Sequence, residues 1–355
     1  MSGKTFLIMA GGTGGHIFPA LAVAQALQGK GHQVVWLGSE GAMETRIVPQ
    51  YQIPLETLAI KGVRGNGLRR KLTLPMTLMK TVAAAKEVIR RYGVDCVIGF
   101  GGFVTFPGGV AAKLMGVPLV IHEQNAVAGL ANKVLSRWAS RVLYAFPKAF
   151  QIPGGLVGNP VRADIAALPT PEERFAGRSG RLNVLVVGGS LGAQVLNEMV
   201  PAALAKLPPE QRPFVRHQSG RGKLQALQAA YEKVGVEAQV TEFIDDMVSA
   251  YRDADVVLCR AGALTIAELT AAGVGAVLVP YPQAVDDHQT ANARFMVQAD
   301  AGLLLPQREL DADKLASVLG GFKREQCLNW AVHARTLARP DSANEVAEVA
   351  IQTAK

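Results

Sequence analysis

Residues 259–292, CRAGALTIAELTAAGVGAVLVPYPQAVDDHQTAN, hold a loop, a helix and a strand in succession, then open a further helix. An apolar strand, Asp255-Val256-Val257-Leu258, leads in and gives way to Gly262. Thr265-Ile266-Ala267-Glu268 fits a capping box just ahead of Leu269 and Ala272, so the spacing predicts a helix start there. Ala276-Val277-Leu278-Val279-Pro280 reads as the next strand. A polar loop follows, and a second helix is predicted from near Asp287, with Gln289 and Asn292 one turn apart on one face. Such a unit offers unpaired backbone N–H groups at a helix N-terminus, a seat for an anion, with Glu268 within reach of the ligand. A carboxylate in a first turn also serves as a plain cap that complements the helix dipole. Spacing alone favours the cap.

The same strand–turn–helix rhythm runs through both halves of the chain. Thr5-Phe6-Leu7-Ile8-Met9-Ala10 reads as a buried strand, the turn Gly11-Gly12-Thr13-Gly14-Gly15 follows, and then a helix ending near Gly29. Val34-Val35-Trp36-Leu37 completes a βαβ opening, which implies a parallel sheet. Asp95-Cys96-Val97-Ile98-Gly99, Val117-Pro118-Leu119-Val120-Ile121 and Arg141-Val142-Leu143-Tyr144 are further strands. The pattern restarts at Leu182-Asn183-Val184-Leu185-Val186-Val187, with Gly188-Gly189-Ser190 turning into another helix. Between the halves, residues 153–171 are rich in Pro and Gly, as suits a hinge. The reading is α/β with two similar domains, residues 1–161 and 162–340.

Composition narrows the function classes. The chain has 355 residues, 49% hydrophobic and 19% charged, the balance of a folded protein. Cys96, Cys259 and Cys327 are far apart and lack metal-ligand spacing, which fits thiols packed as small apolar groups in a reducing compartment. Met1 to Ala10 lacks the cationic start and cleavage site of a signal peptide. No apolar run approaches the ~20 residues of a spanning helix. The formal charge of +8 calls for an anionic partner, yet aromatic content is 6% and no nucleic-acid module is recognisable. Between Lys61 and Arg91 nine Lys or Arg residues accompany one acid, Glu87, around Leu72, Leu74, Met76, Leu78, Met79 and Val82. A surface resting on an anionic bilayer and a helix with one buried and one solvated basic face explain this strip equally well. Pro75 breaks the strip, so a loop followed by a helix is expected there rather than one continuous amphipathic helix.

Gly11-Gly12-Thr13-Gly14-Gly15 supports phosphate binding without naming a ligand, and it does not meet the G-x-G-x-x-G spacing of a dinucleotide fold. His122-Glu123-Gln124-Asn125 lacks the second His of a zinc helix but suits sugar hydroxyls, which paired hydrogen bonds recognise. These segments, with Gly158-Asn159-Pro160-Val161-Arg162, Gly188-Gly189-Ser190, Phe243-Ile244-Asp245-Asp246-Met247 and residues 259–292, lie in family order. Together they resemble the glycosyltransferases with two facing Rossmann-like domains, within them the bacterial family that adds N-acetylglucosamine to lipid I.

The resemblance implies a GT-B architecture with a cleft between the domains and a last helix, residues 341–355, that returns to the first domain. It implies an inverting, metal-independent β-1,4 transfer of N-acetylglucosamine from UDP-N-acetylglucosamine to membrane-bound lipid I. Neither cofactor nor nucleic acid is implied. It places the protein peripherally at the cytoplasmic face of the inner membrane, on an anionic surface. Thr13, Gly14 and Gly15 would face diphosphates, His16 would take the acceptor proton, and Glu123, near the acceptor, is a second candidate for base or orienting group. Asn125 would meet the N-acetylglucosamine, and Arg162 and Ser190 would lie on the nucleotide side. Ile244 would contact uracil through its backbone. Ala263, Leu264, Thr265, Ile266 and Ala267 would line the helix start, Glu268 would hold the ribose and Gln289 the sugar. Phe103 stands where the family pattern suggests Tyr. Rival readings are a UDP-N-acetylglucosamine 2-epimerase of the same architecture, a nicotinamide dehydrogenase, and a non-catalytic membrane-surface module.

Overall fold

The computed structural model describes residues 3–60, 68–189 and 191–355, with side chains throughout except at 68–74 and 285. Ser190 therefore lies outside the described residues, as does the start of the basic strip at 61–67. The chain forms two compact units, Met1–Arg162 with Arg339–Lys355, and Ala163–Ala338.

The first unit is a six-stranded parallel sheet of β1 (Thr5–Ala10), β2 (Gln33–Ser39), β3 (Leu55–Leu58), β4 (Cys96–Gly101), β5 (Leu119–Glu123) and β6 (Arg141–Tyr144), in the order β3-β2-β1-β4-β5-β6. The central strand β1 is buried throughout, because side chains alternate across a sheet covered on both faces. Phe6, Ile8 and Ala10 join the core of helices Gly14–Gly29 and Ser342–Thr353. Leu7 and Met9 join the core of Leu68–Arg91 and Thr105–Met115 on the other face. Lys4 Nζ donates to the carbonyls of Ile351 and Ala354, fixing the C-terminal helix to this unit.

The second unit repeats this plan with β7 (Asn183–Val187), β8 (Phe214–Gln218), β9 (Gln239–Thr241), β10 (Val256–Cys259), β11 (Ala276–Leu278) and β12 (Gly302–Leu304). Its order, β12-β11-β10-β7-β8-β9, is the same doubly wound arrangement counted from its own first strand. An identical device sits at the N-terminal edge of both sheets. Asp95 exchanges backbone N–H and carboxylate contacts with Thr5 (2.9 and 2.7 Å), and Asp255 does so with Asn183 (2.8 and 2.8 Å). Asp255 is fully buried, and Arg178 (2.6 Å) and Arg324 (3.2 Å) balance its charge. Both switch strand pairs, β1/β4 and β7/β10, are thereby pinned at one end. Their C-terminal ends carry the loops where ligands of doubly wound sheets bind.

Two sequence expectations need correction. Residues 68–91 form one helix through Pro75 rather than a loop and then a helix. Proline removes a single N–H and bends a helix without having to end it. The helix after β10 runs Ala263–Ala272 with Gly262 as its N-cap, so the capping box at Thr265 does not exist. Arg260, Ala261 and Gly262 alone link strand to helix, and Gly262, in an extended conformation, completes the reversal before Thr265 is reached.

Candidate functional site

In the second unit the β7 and β10 ends meet side by side, with Val187 opposite Cys259 and the Arg260 N–H donating to the Val187 carbonyl at 3.3 Å. Gly189 and Gly192 adopt positive φ of 85 and 67° in the loop after β7. A Cβ on Gly192 would lie 2.0 Å from the Ser219 carbonyl oxygen, so only glycine lets this loop nest against the next one. Across the switch point, no side chain caps the helix Ala263–Ala272. Its first-turn N–H groups, on Ala263, Leu264 and Thr265, sit where an anion is favoured. Ile266 is buried in the core, and its N–H closes the first helical bond to Gly262 at 2.9 Å; Ala267 is half-buried.

Glu268 lies at the sixth helical position, too far along to cap, and its Oε2 accepts the Tyr251 hydroxyl at 2.9 Å. Tyr251 is 1% exposed, so this donor is fixed and aims the carboxylate. Ile244 is buried too, 2% exposed. Asp246 caps the helix Met247–Asp253 by accepting the Ser249 N–H at 2.9 Å, and hydrogen bonding from the Ser249 side chain and then from its N–H lowers the Asp246 pKa. Asp246 is thus engaged in local structure. Gln289 Oε1 accepts the Tyr281 N–H at 2.9 Å, while Arg260 donates to the carbonyls of Val279 and Pro280 and to Gln307 Oε1. These contacts shape the loop after β11. Asn292 is fully buried and donates to the Ala261 carbonyl at 3.2 Å, supporting the approach to the helix from behind.

In the first unit Thr13 precedes the helix Gly14–Gly29 in an extended conformation, and its carbonyl accepts from the N–H groups of His16 and Ile17. Gly14 and Gly15 form the first turn. His16 Nδ1 lies 3.1 Å from the Gly11 carbonyl oxygen and 3.4 Å from Thr13 Oγ1. A carbonyl only accepts, so the Gly11 contact selects the Nδ1–H tautomer and puts the basic lone pair on Nε2. The ring rests on the end of β4, where a Cβ on Gly101 would lie 2.9 Å from Nε2. Phe103 follows in this loop, half exposed.

Glu123, a second candidate for base or orienting group, sits at the end of β5. It is 3% exposed, and both its oxygens are held: Oε1 by the N–H and Nδ2 of Asn125, Oε2 by the Gly129 N–H (3.0 Å) and Asn132 Nδ2 (2.9 Å). Four donors make it the orienting group for Asn125 and the loop to Gly129. His122, beside it, points to the opposite face. It is fully buried between the Gly158 carbonyl (2.8 Å from Nε2) and Gln124 Nε2 (3.1 Å from Nδ1), and burial lowers its pKa to about 4. It is a neutral pin for the segment that ends at Arg162, which is half-buried.

Within the first unit Thr13, Gly14, Gly15 and His16 thus share one turn, while Glu123 and Asn125 share the β5 end. Within the second unit, residues 263–268 follow β10, Gln289 follows β11 and Ile244 follows β9, all on the C-terminal side of the sheet. Sequence reasoning missed Tyr251, whose lone hydroxyl carries no motif, and Glu44, a buried acid beneath the glycine turn. The three thiols are buried, and burial raises each pKa to about 12, so they are packing groups. Among the described residues no cluster of metal-ligating side chains occurs, and no helix is long and apolar enough to cross a membrane.

Two doubly wound units, one with a carboxylate and bare helix N-terminus at its switch point, have the build of a GT-B nucleotide-sugar glycosyltransferase. The glycosyltransferase family 28 N-terminal domain matches residues 6–144, and the family 28 C-terminal domain matches residues 183–346. The chain belongs to glycosyltransferase family 28. A Neisseria meningitidis serogroup A protein named UDP-N-acetylglucosamine–N-acetylmuramyl-(pentapeptide) pyrophosphoryl-undecaprenol N-acetylglucosamine transferase is 73% identical over 354 residues, 100% of both chains. A Ralstonia nicotianae protein of the same name is 53% identical, over 99% of this chain and 97% of its own. The crystal structure of Acinetobacter baumannii MurG superposes with a TM-score of 0.87 at 42% identity, covering 98% of this chain and 99% of that one.

Proposed function

We propose that the protein transfers N-acetylglucosamine from UDP-N-acetylglucosamine to the muramyl sugar of lipid I, forming the β-1,4 linkage of lipid II with inversion. The observation that carries this is the 73% identity over the whole chain to a transferase of that name, joined to the geometry of both half-sites. On the donor side, Glu268 accepts the ribose hydroxyls, the backbone at Ile244 reads uracil, and Gln289 binds the sugar. The N–H groups of Ala263, Leu264 and Thr265 stabilise the negative charge that grows on UDP as it leaves. The family resemblance adds Arg162 and Ser190 to the nucleotide side. On the acceptor side, His16 Nε2 takes the hydroxyl proton as the new bond forms, a contribution worth about 10²–10⁴-fold in rate. Glu123 positions Asn125 toward the transferred sugar, and Gly14 and Gly15 offer N–H groups to diphosphate.

Because the acceptor's lipid tail stays in the bilayer, the first unit works at the membrane. Helix Leu68–Arg91 supports this: Ala85, Val88 and Ile89 are buried in the core, whereas Met76 and Met79 are 64% and 74% exposed beside Lys80. Cations around an exposed apolar strip suit a peripheral position on an anionic cytoplasmic leaflet. The test is an assay of UDP release and disaccharide formation with UDP-N-acetylglucosamine and a soluble lipid I analogue. Formation of the β-1,4 disaccharide is expected. Isomerisation of the donor without acceptor, and no transfer with it, would overturn the reading in favour of an epimerase.

A further inference from the structure

The transfer chemistry above makes no use of Glu44, a fully buried acid at the first residue of the short helix Glu44–Ile47. Its Oε1 accepts the Ser39 N–H at 2.8 Å and its Oε2 accepts the Gly12 N–H at 3.0 Å, so the carboxylate ties the end of β2 to the turn after β1. Two glycines make room for it. A Cβ on Gly11 would lie 2.2 Å from Oε1, and one on Gly38 would lie 2.7 Å from Cγ. An ionised carboxylate withdrawn from water needs such donors.

Gly12 N–H and Gly11 C=O belong to one peptide unit. That unit is planar, and its N–H and C=O point in opposite directions. One end is fixed by Glu44, and the other accepts from His16 Nδ1 at 3.1 Å. Gly12, at φ 87°, permits the geometry, and the bare Gly102 leaves space, since a Cβ there would lie 2.6 Å from the Gly11 carbonyl oxygen. The Gly12 amide therefore serves an internal anion rather than a phosphate.

We propose that Glu44 is a positioning residue for His16. By holding the Gly11–Gly12 peptide in one orientation it fixes the imidazole in the Nδ1–H tautomer and aims Nε2 at the acceptor. The proposal rests on His16 being the base.

The experiment is a double-mutant cycle of Glu44→Gln and His16→Ala, with kcat and donor KM measured for each. An amide at position 44 can accept one N–H but sets its own NH₂ against the other, so the peptide is no longer held. In the native background Glu44→Gln is expected to lower kcat about 10- to 100-fold, the cost of a misplaced reacting group. Donor KM stays within about 2-fold. In the His16→Ala background the same change costs less than about 2-fold, because groups that act as one unit are not additive. Equal fold-losses in both backgrounds would mean a general structural role and overturn the proposal. A crippled His16→Ala beside a normal Glu44→Gln overturns it alone, leaving the base assignment intact. A His16→Ala variant with normal turnover overturns both. If Glu44→Gln fails to fold, Gly38→Ala displaces the carboxylate while keeping its charge, and the same dependence on His16 is expected.

Discussion

The Tyr251 hydroxyl donates to Glu268 Oε2 at 2.9 Å from a side chain that is 1% exposed. A buried donor on one helix thus sets the direction of a carboxylate on the next. Glu268 is not a helix cap, so its removal costs no cap, only the acceptor of the Tyr251 hydroxyl. For Glu268→Ala we expect the affinity for UDP and for the sugar nucleotide to fall about 10- to 100-fold. That is the equivalent of ~1.5–3 kcal/mol for a hydrogen bond to a charged group. Tyr251→Phe should weaken UDP by a smaller factor. Titration calorimetry beside thermal melts decides the matter: an early-melting Glu268→Ala that binds UDP normally would refute the ribose role.

His16 and Glu123 are expected to separate kinetically. His16→Ala lowers kcat by about 10²–10⁴-fold with donor KM little changed. Glu123→Ala removes the shorter bond of the buried Asn132 amide at a cost of about 1–3 kcal/mol, and releases the N–H of the exposed Gly129. The expected result is a lower melting temperature and a raised KM as the Asn125 loop loses its shape. A Glu123→Ala variant that melts normally but has lost kcat alone would restore it as a base.

Burial lowers the pKa of His122 to about 4 and of His217 to about 3 from an ordinary value near 6.5. The unfolded chain binds protons at these sites in the interval where the folded chain does not. Stability is therefore fully present above about pH 6.5 and is lost as pH falls through the folded values. For His122 alone the full loss is of order 3 kcal/mol. Melting temperatures measured from pH 8 to pH 5 should decline below about 6.5. His122→Gln lowers the curve but flattens its slope; an unchanged slope would mean that His122 does not carry the dependence.

The sequence made the strands legible because both sheets are covered on two faces, so β1 and β7 appear as continuous apolar blocks. The glycine turns were legible because the close approach of loops, as between Gly192 and Ser219, admits no other residue. The roles of individual polar residues were not. His122 and Glu123 are neighbours on one strand, and alternation alone sends one into the core and the other to the β5 end. Thr265 and Glu268 match a cap pattern, yet the three-residue connection starts the helix earlier. Glu44 carries no signal in a short polar segment, since its burial depends on missing side chains at Gly11 and Gly38.

The last prediction concerns the helix Leu68–Arg91. Its second half is anchored in the core through Ala85, Val88 and Ile89, so the exposed Met76 and Met79 are held at a fixed place on the first unit. The cations Arg69, Arg70, Lys71, Lys80, Lys86, Arg90 and Arg91 share the same helix. Arg90 pairs with Glu87, and Arg91 with Glu56 at 3.1 Å; both pairs are exposed and weakly coupled. Each cation near an anionic surface contributes about 1 kcal/mol, screened over a Debye length of about 8–10 Å. Binding to anionic liposomes should therefore fall with salt and be weak on neutral ones. Reversing Arg69, Arg70 and Lys71 to Glu should weaken binding to anionic vesicles and slow transfer to vesicle-borne acceptor, while transfer to a short-tailed soluble acceptor stays nearly intact. Equal loss with both acceptors would mean that these cations serve the fold or the acceptor site instead of the bilayer.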